Sequence, residues 1–145
     1  MPTTLNWNET LGCWQGTAPL GSSEIAMRVH VPDDHAEAWP TRIRRQFDLL
    51  AANEVSLRES VAAKLWTLYD RSWRDDEDDR AEDPDSPEPA TNALDLGRRF
   101  ALYCVEFWSN GTTSLYYRDG HMFLGHTVMA DLDEHLHLTA ATLAG

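Results

Sequence analysis

The sequence predicts an α+β domain, with an antiparallel sheet made of an N-terminal hairpin plus a C-terminal four-stranded meander, and two helices packed on one face. Three observations support this prediction. β-prone runs fill the last third of the chain, and Asn110-Gly111 and Asp119-Gly120 lie between them. Such pairs favour tight hairpins, because a type I′ turn needs positive φ at both central residues. Apolar residues recur at helical spacing in the middle of the chain.

The N-terminal residues predict the hairpin. Residues 5–16 contain Trp7 and Trp14 among polar residues and fit one short strand, in which Gly12 or Gly16 marks a bulge or turn. Residues 24–31 alternate apolar and polar side chains, as a second strand with one buried face does. This hairpin is expected either to extend the C-terminal sheet or to form a second sheet.

The middle of the chain predicts an antiparallel pair of helices. Pro40 suits the first turn of a helix, because its missing N–H would be unpaired there in any case. Asn53 is expected to interrupt this helix, and Ser56 and Glu59 have the spacing of a capping box that opens a second one. The apolar stripes of the two helices are Ile43, Phe47 and Leu50 in the first and Leu57, Val61, Leu65 and Leu68 in the second.

Residues 75–89 are predicted to be a disordered surface loop. They hold nine acidic residues, one arginine and three prolines, and thus −8 of the formal net charge of −12. Charge repulsion and proline prevent such a segment from packing. It is either a solubilising insertion or a surface that mimics DNA. Residues 91–96 then predict one helical turn before the sheet resumes.

The C-terminal meander consists of four predicted strands, at residues 100–108, 112–117, 122–130 and 135–141. The first is apolar on both alternating faces and is expected to be central in the sheet. In the last strand Leu136 and Leu138 are expected to point inward, and His135, His137 and Thr139 outward.

Length and composition favour one domain, at residues 1–145, and a cytoplasmic protein. The chain has no apolar run long enough to cross a membrane, and its first residues do not resemble a signal peptide. Cys13 and Cys104 are too few for a disulfide framework or a zinc site and are expected to be buried thiols. The acidic balance argues against binding to nucleic acid, which needs a basic surface.

Motifs for nucleophilic, phosphate-binding or metal chemistry are absent from the sequence, so no catalytic residue, cofactor or metal is predicted. His126 follows Gly125 within a predicted strand and leaves two alternatives open. It is a general base tuned by Asp119 or Glu106, or a core histidine whose ring nitrogens are satisfied by neighbouring groups. His135 and His137 lie near three acidic residues, an arrangement that suits a metal but is more common on a solvent-facing strand.

A binding surface is predicted at the turn between the second and third strands of the meander and on the outward face of the last strand. Tyrosine and arginine on a rigid strand end are the side chains in which binding energy concentrates at protein interfaces. The residues of this predicted surface are Tyr116, Tyr117, Arg118, Asp119, His121, His135 and His137.

The segment from Leu115 to Val128, with its Asp-Gly turn followed by Phe-x-Gly-His-x-Val, resembles the C-terminal signature of an uncharacterised bacterial domain family. The resemblance carries no activity with it. By analogy of size and charge, the chain is also similar to the immunity proteins of bacterial toxins. This analogy implies a non-enzymatic protein that binds and neutralises a cognate toxin with a basic surface. The alternative is a small enzyme or ligand-binding domain centred on His126.

Overall fold

In the computed structural model, the described residues are 5–31, 39–74 and 87–144. Within them, seven strands form one sheet in the order of the sequence, with every neighbouring pair antiparallel except β3 and β4, which are parallel. The strands are β1 (Leu5–Asn8), β2 (Cys13–Leu20), β3 (Ser23–Val29), β4 (Ala101–Phe107), β5 (Thr113–Arg118), β6 (Thr127–Leu132) and β7 (Leu138–Ala144). The helices are α1 (Trp39–Leu68), which continues as a π-helical segment (Tyr69–Trp73), and α2 (Ala93–Arg98).

The predicted α+β class, with a largely antiparallel sheet and two helices, is confirmed. The finer prediction of an antiparallel sheet built from a hairpin plus a four-stranded meander is wrong, because the strands form a single seven-stranded sheet. Of the two alternatives for the N-terminal strands, extension of the C-terminal sheet is the one found, through the parallel pairing of Met27 with Val105. Residues 5–16 also form two strands rather than one. The chain reverses at Gly12, whose φ of +66° suits glycine, and Asn8 holds this turn by accepting the N–H groups of Leu11 and Gly12.

The predicted pair of antiparallel helices is wrong as well, because α1 runs without a break for 30 residues. Asn53 does not interrupt it, since its side-chain amide donates to the Leu49 carbonyl one turn earlier. Ser56 is a mid-helix residue rather than a cap, and its carbonyl accepts the Ser60 hydroxyl. Leu68 is exposed instead of buried. The second helix is α2, at the position of the predicted helical turn, where Asn92 caps the N-terminus by accepting the Asp95 N–H.

The four-stranded C-terminal meander is present as β4 to β7, with three differences. Asn110-Gly111 lies in the turn between β4 and β5 as predicted, but only Gly111 has a positive φ, so the turn is not of type I′. Asp119-Gly120 opens a longer loop of residues 119–126. The last strand begins at Leu138, because the carboxylate of Asp133 accepts the N–H groups of His135 and His137 and holds them in a turn. Neither histidine therefore lies in a strand.

The hydrophobic core lies between α1 and one face of the sheet. α1 contributes a buried apolar stripe, and the strands contribute alternate residues such as Val29, Phe107, Leu115 and Val128. The N-terminal half of α1 is fixed to the β4–β5 turn, since Arg42 donates to the Ser109 carbonyl and Gln46 to the Gly111 carbonyl. None of the described helices is long and apolar enough to cross a membrane.

The opposite face of the sheet has no described helix packed on it, and we call it the open face. Residues that alternate with the core residues along β3 to β6 point toward it. They form a row across four strands, in which Arg28, Glu106, Ser114 and Asp131 are register partners. The predicted disordered loop falls mostly on residues 75–86, which lie outside the described residues.

Candidate functional site

A cleft of about 370 Å³ lies where the 119–126 loop meets the ends of β4, β5 and β6. Its walls carry a guanidinium, two imidazoles and two hydroxyls, which belong to Arg118, His121, His126, Tyr103 and Thr127. The loop has an unusual backbone, because His121 and Leu124 have φ values of 63° and 56°. Non-glycine residues rarely adopt this conformation, and they keep it where surrounding contacts enforce it.

Asp119 supplies those contacts. Its carboxylate is 5% exposed and accepts three backbone N–H groups of the loop, from His121 at 3.0 Å, Phe123 at 2.8 Å and Gly125 at 2.9 Å. These three hydrogen bonds fix the backbone of the loop around the Asp119 side chain. Its role in the described structure is thus to position the loop residues, including His121.

His126 is half-buried at the end of the same loop. Its Nδ1 lies 2.6 Å from the carbonyl oxygen of Phe123, and since a carbonyl only accepts, Nδ1 carries the proton. The ring also meets Trp73 edge-on, with 5.2 Å between centroids. One nitrogen is thus satisfied as a core histidine would require, while Nε2 has no hydrogen-bond partner among the described residues. Glu106, one of the two carboxylates expected beside this ring, is paired with His30 instead.

Arg118 is exposed and has no ion pair within the described residues. Its guanidinium stacks over the Tyr103 ring, 4.7 Å from the centroid, which fixes the direction of a long side chain. The Tyr103 hydroxyl lies 3.2 Å from the Thr127 hydroxyl across the cleft. The cleft therefore combines a positioned cation with hydroxyl groups.

The structure brings only part of the predicted binding surface together. Arg118, Asp119 and His121 meet His126 at the cleft, but His135 and His137 lie at the other ends of β5 and β6. Both rings are exposed, and their centroids are 6.1 Å apart. His135 lies 3.6 Å from the carboxylate of Glu134, and His137 lies 3.6 Å from the carboxylate of Asp133.

The two predicted tyrosines point to opposite faces, as expected for neighbours in a strand. Tyr117 is fully buried in the core, and its hydroxyl has no partner among the described residues. Burial therefore raises the pKa of this phenol. Tyr116 is half-buried on the open face, where its hydroxyl donates to the Glu106 carboxylate at 2.7 Å. Burial and that carboxylate raise the pKa of Tyr116.

The open face holds a polar network that the sequence analysis missed. Glu106 is 6% exposed, and its second carboxylate oxygen lies 2.7 Å from Nε2 of His30. The His30 ring in turn stacks on Trp108, with 4.3 Å between centroids and 7° between planes. The sequence does hold one signal for this network, which is Glu106 within an apolar strand. A buried glutamate almost always has partners, so its position indicates polar neighbours on the same face.

A second chain of hydrogen bonds lies beside the first. The Trp108 indole donates to Ser114 at 2.9 Å, and Ser114 donates to Asp131 at 3.0 Å. Together with Tyr116 these residues line an open concavity of about 520 Å³. The aromatic side chains of the open face are thus held in place by hydrogen bonds and stacking.

A comparison with protein-family models matches residues 3–143 to the family described as uncharacterized protein conserved in bacteria (DUF2262). The chain belongs to this family. The predicted membership of an uncharacterised bacterial family is thereby confirmed. No curated protein and no solved structure matches this DUF2262 chain.

The match spans both the cleft and the open face of this DUF2262 domain. Cys13 and Cys104, the two cysteines of the domain, are buried as unpaired thiols, as predicted. Burial raises the pKa of both thiols, which opposes formation of the nucleophilic thiolate.

Proposed function

We propose that this chain is a non-enzymatic binding protein, specifically an immunity-type inhibitor that binds and neutralises a cognate bacterial toxin. The observation that supports this function is the open face. Trp108 and Tyr116 are half-buried there and are held by hydrogen bonds to Ser114 and Glu106. Aromatic side chains that are already ordered lose little conformational entropy on binding, and they supply much of the binding energy at interfaces.

Two arginines flank these aromatic residues. Arg28 is exposed beside Glu106 in the register of the sheet, and Arg118 is held by Tyr103 near the end of β5. Neither has an ion pair within the described residues. Arginine is enriched at binding hot spots together with tryptophan and tyrosine. This surface therefore has the composition of a protein-binding site on a rigid sheet.

The net charge of −12 supports a basic partner. Opposite net charges accelerate encounter by long-range attraction, and this acceleration weakens as salt screens the charges. An inhibitor gains from fast association, because it must reach the toxin before the toxin reaches its target. A toxin with a basic surface is thus the partner that this chain suits best.

Coexpression tests the proposed function directly. The reading frame next to the gene of this chain is expected to arrest growth when it is expressed alone in a laboratory bacterium. Coexpression of this chain should restore growth, and the two purified proteins should form a complex in size-exclusion chromatography. A neighbouring product that is harmless, or that stays toxic and unbound in the presence of this chain, would contradict the proposal.

Single substitutions test the surface. Arg118→Ala and Arg28→Ala are each expected to weaken toxin binding by about 1–3 kcal/mol, with little change in stability because both side chains are exposed. Arg44→Ala is the matched control, since Arg44 is an exposed arginine on α1, away from the open face. If both test variants bind like the control, the open face is not the interface.

A further inference from the structure

We propose that the cleft between Tyr103, Arg118 and the 119–126 loop is a binding site for a small phosphate-class oxyanion, either free phosphate or a small phosphate monoester. This inference does not rest on the proposed inhibitor function, although Arg118 belongs to both surfaces. It rests on the groups that line the cleft, on the fixed position of its arginine and on the way its carboxylate is occupied.

The first step concerns the cation. Arg118 is exposed at the cleft and has no carboxylate partner within the described residues. The guanidinium carbon lies 4.7 Å from the centroid of the Tyr103 ring, a cation–π contact that favours this position of the side chain. A guanidinium presents several N–H donors in a rigid arrangement that matches the oxygens of a phosphate. Arg118 is thus a positioned donor that has no carboxylate partner in the described part of the chain.

The second step concerns the other donors. His121 lines the same cleft from the loop, and the hydroxyls of Tyr103 and Thr127 line it from β4 and β6. Because one of these hydroxyls donates to the other, one hydroxyl proton remains for a ligand. His126 also lines the cleft, but its Nδ1 proton is donated to the Phe123 carbonyl, so its ring adds no donor. These groups belong to three different segments of the chain. A tetrahedral anion has oxygens in several directions to accept from them, whereas a carboxylate has two oxygens in one plane. The arrangement therefore favours phosphate over carboxylate.

The third step concerns Asp119, the one carboxylate among the described residues that line the cleft. It is 5% exposed, and it accepts the N–H groups of His121, Phe123 and Gly125. The oxygens of Asp119 are thus occupied by backbone donors, and the described residues show no ion pair between Asp119 and Arg118. The same bonds hold His121 at its positive φ of 63° and keep that imidazole at the cleft.

The net charge of −12 does not prevent an anion from binding here. Exposed charges farther apart than about 8 Å are largely screened at physiological salt. At the distance of a hydrogen bond, the guanidinium and the hydroxyls decide whether the anion binds.

The test is a titration of the full chain with inorganic phosphate and, separately, with O-phosphoserine and acetate, at constant ionic strength. Binding is followed by amide NMR shifts and by calorimetry. Both phosphate ligands are expected to bind saturably, with shifts concentrated at residues 118–127, and acetate at least about tenfold more weakly. Tighter binding of phosphoserine identifies a monoester as the ligand, and equal affinity identifies free phosphate.

Three variants complete the test. Arg118→Ala is expected to weaken phosphate binding by about tenfold or more, because it removes the charged donor. His121→Asn should weaken it less and stay folded, since asparagine tolerates positive φ. Arg44→Ala is the control and should bind like the parent chain. The proposal is overturned if phosphate shows no saturable binding, if acetate binds equally well, or if Arg118→Ala leaves the affinity unchanged.

Discussion

Asp119 is the residue on which the cleft depends. A short Asp-Gly turn would need only backbone contacts, but here one buried carboxylate replaces them with three hydrogen bonds to the loop. The chain can therefore place His121 and Leu124 at positive φ, which costs roughly 1–2 kcal/mol for each residue. The dipeptide signal indicates a turn correctly, but it does not reveal the longer loop that the side chain of Asp119 supports.

Two fully buried tyrosines differ in how their hydroxyls are satisfied. The Tyr69 hydroxyl accepts the Ala90 N–H at 2.8 Å and lies 3.5 Å from the Met122 sulfur. The Tyr117 hydroxyl has no partner in the described part of the chain. A buried polar group without a partner is destabilising, whereas removing one member of a buried pair leaves the other unsatisfied.

Tyrosine-to-phenylalanine substitutions should therefore have opposite effects at these two sites. Tyr117→Phe is expected to raise the free energy of unfolding by about 1 kcal/mol, and Tyr69→Phe to lower it by about 1–3 kcal/mol. Urea unfolding followed by tryptophan fluorescence measures both. Destabilisation by Tyr117→Phe would mean that its hydroxyl has a partner, such as a buried water.

At the scale of the elements, local patterns predicted most of the strands. Alternation along residues 24–31 and the Asn110-Gly111 turn indicate β3 and the β4–β5 hairpin, because both signals lie within a few residues. α1 shows the limit of such reasoning. Asn53 and Ser56 resemble a break and a cap, but tertiary packing of the stripe from Ile43 to Leu65 keeps the helix continuous across them.

Candidate-site residues were predictable where they are close in sequence. Arg118, Asp119, His121 and His126 lie within nine residues, and they do meet at the cleft. His30 and Glu106, by contrast, are 76 residues apart in the sequence. Their contact depends on the parallel pairing of β3 with β4, for which the sequence holds no local signal.

The 119–126 loop docks on the residue that follows α2. A Cβ added to Gly120, whose φ is +62°, would lie 2.5 Å from the Arg99 carbonyl oxygen. Gly12 has a similar φ of +66°, but a Cβ there would meet nothing within 4 Å. These two glycines therefore separate the cost of positive φ from the cost of a steric clash.

Alanine substitutions should show that separation. Gly12→Ala is expected to lower the free energy of unfolding by about 1–2 kcal/mol, the cost of positive φ alone. Gly120→Ala should lower it by about 2–5 kcal/mol, because a clash with backbone adds to that cost. Chemical denaturation of both variants measures the difference. Equal losses would indicate that the loop can move away from Arg99 without cost.

At the scale of the whole molecule, the parallel β3–β4 pairing connects two antiparallel halves. The connection between these strands contains both helices, and it places α1 over the core face of the joined sheet. The open face therefore runs continuously across β3 to β6, from Arg28 to Asp131. A surface of this width is available to a partner only because the two halves share one sheet.

Charge at this scale affects how fast a partner arrives more than how tightly it is held. Residues 75–86 carry eight acidic residues and one arginine, and hence −7 of the net −12. Charges at a distance from the contact surface act through long-range attraction and change the association rate, whereas contacts at the interface set the dissociation rate. The effects on the association rate and on the dissociation rate can be separated by removing the charge of residues 75–86.

Replacement of residues 75–86 by a glycine-serine linker of equal length is expected to keep the melting temperature within a few degrees, since the length of the closed loop does not change. Binding to the toxin proposed above should weaken by less than about tenfold, entirely through slower association and with a smaller dependence on salt. Stopped-flow kinetics at several salt concentrations measures both rates. Faster dissociation would place this segment in the interface itself, because only a lost contact shortens the lifetime of the complex.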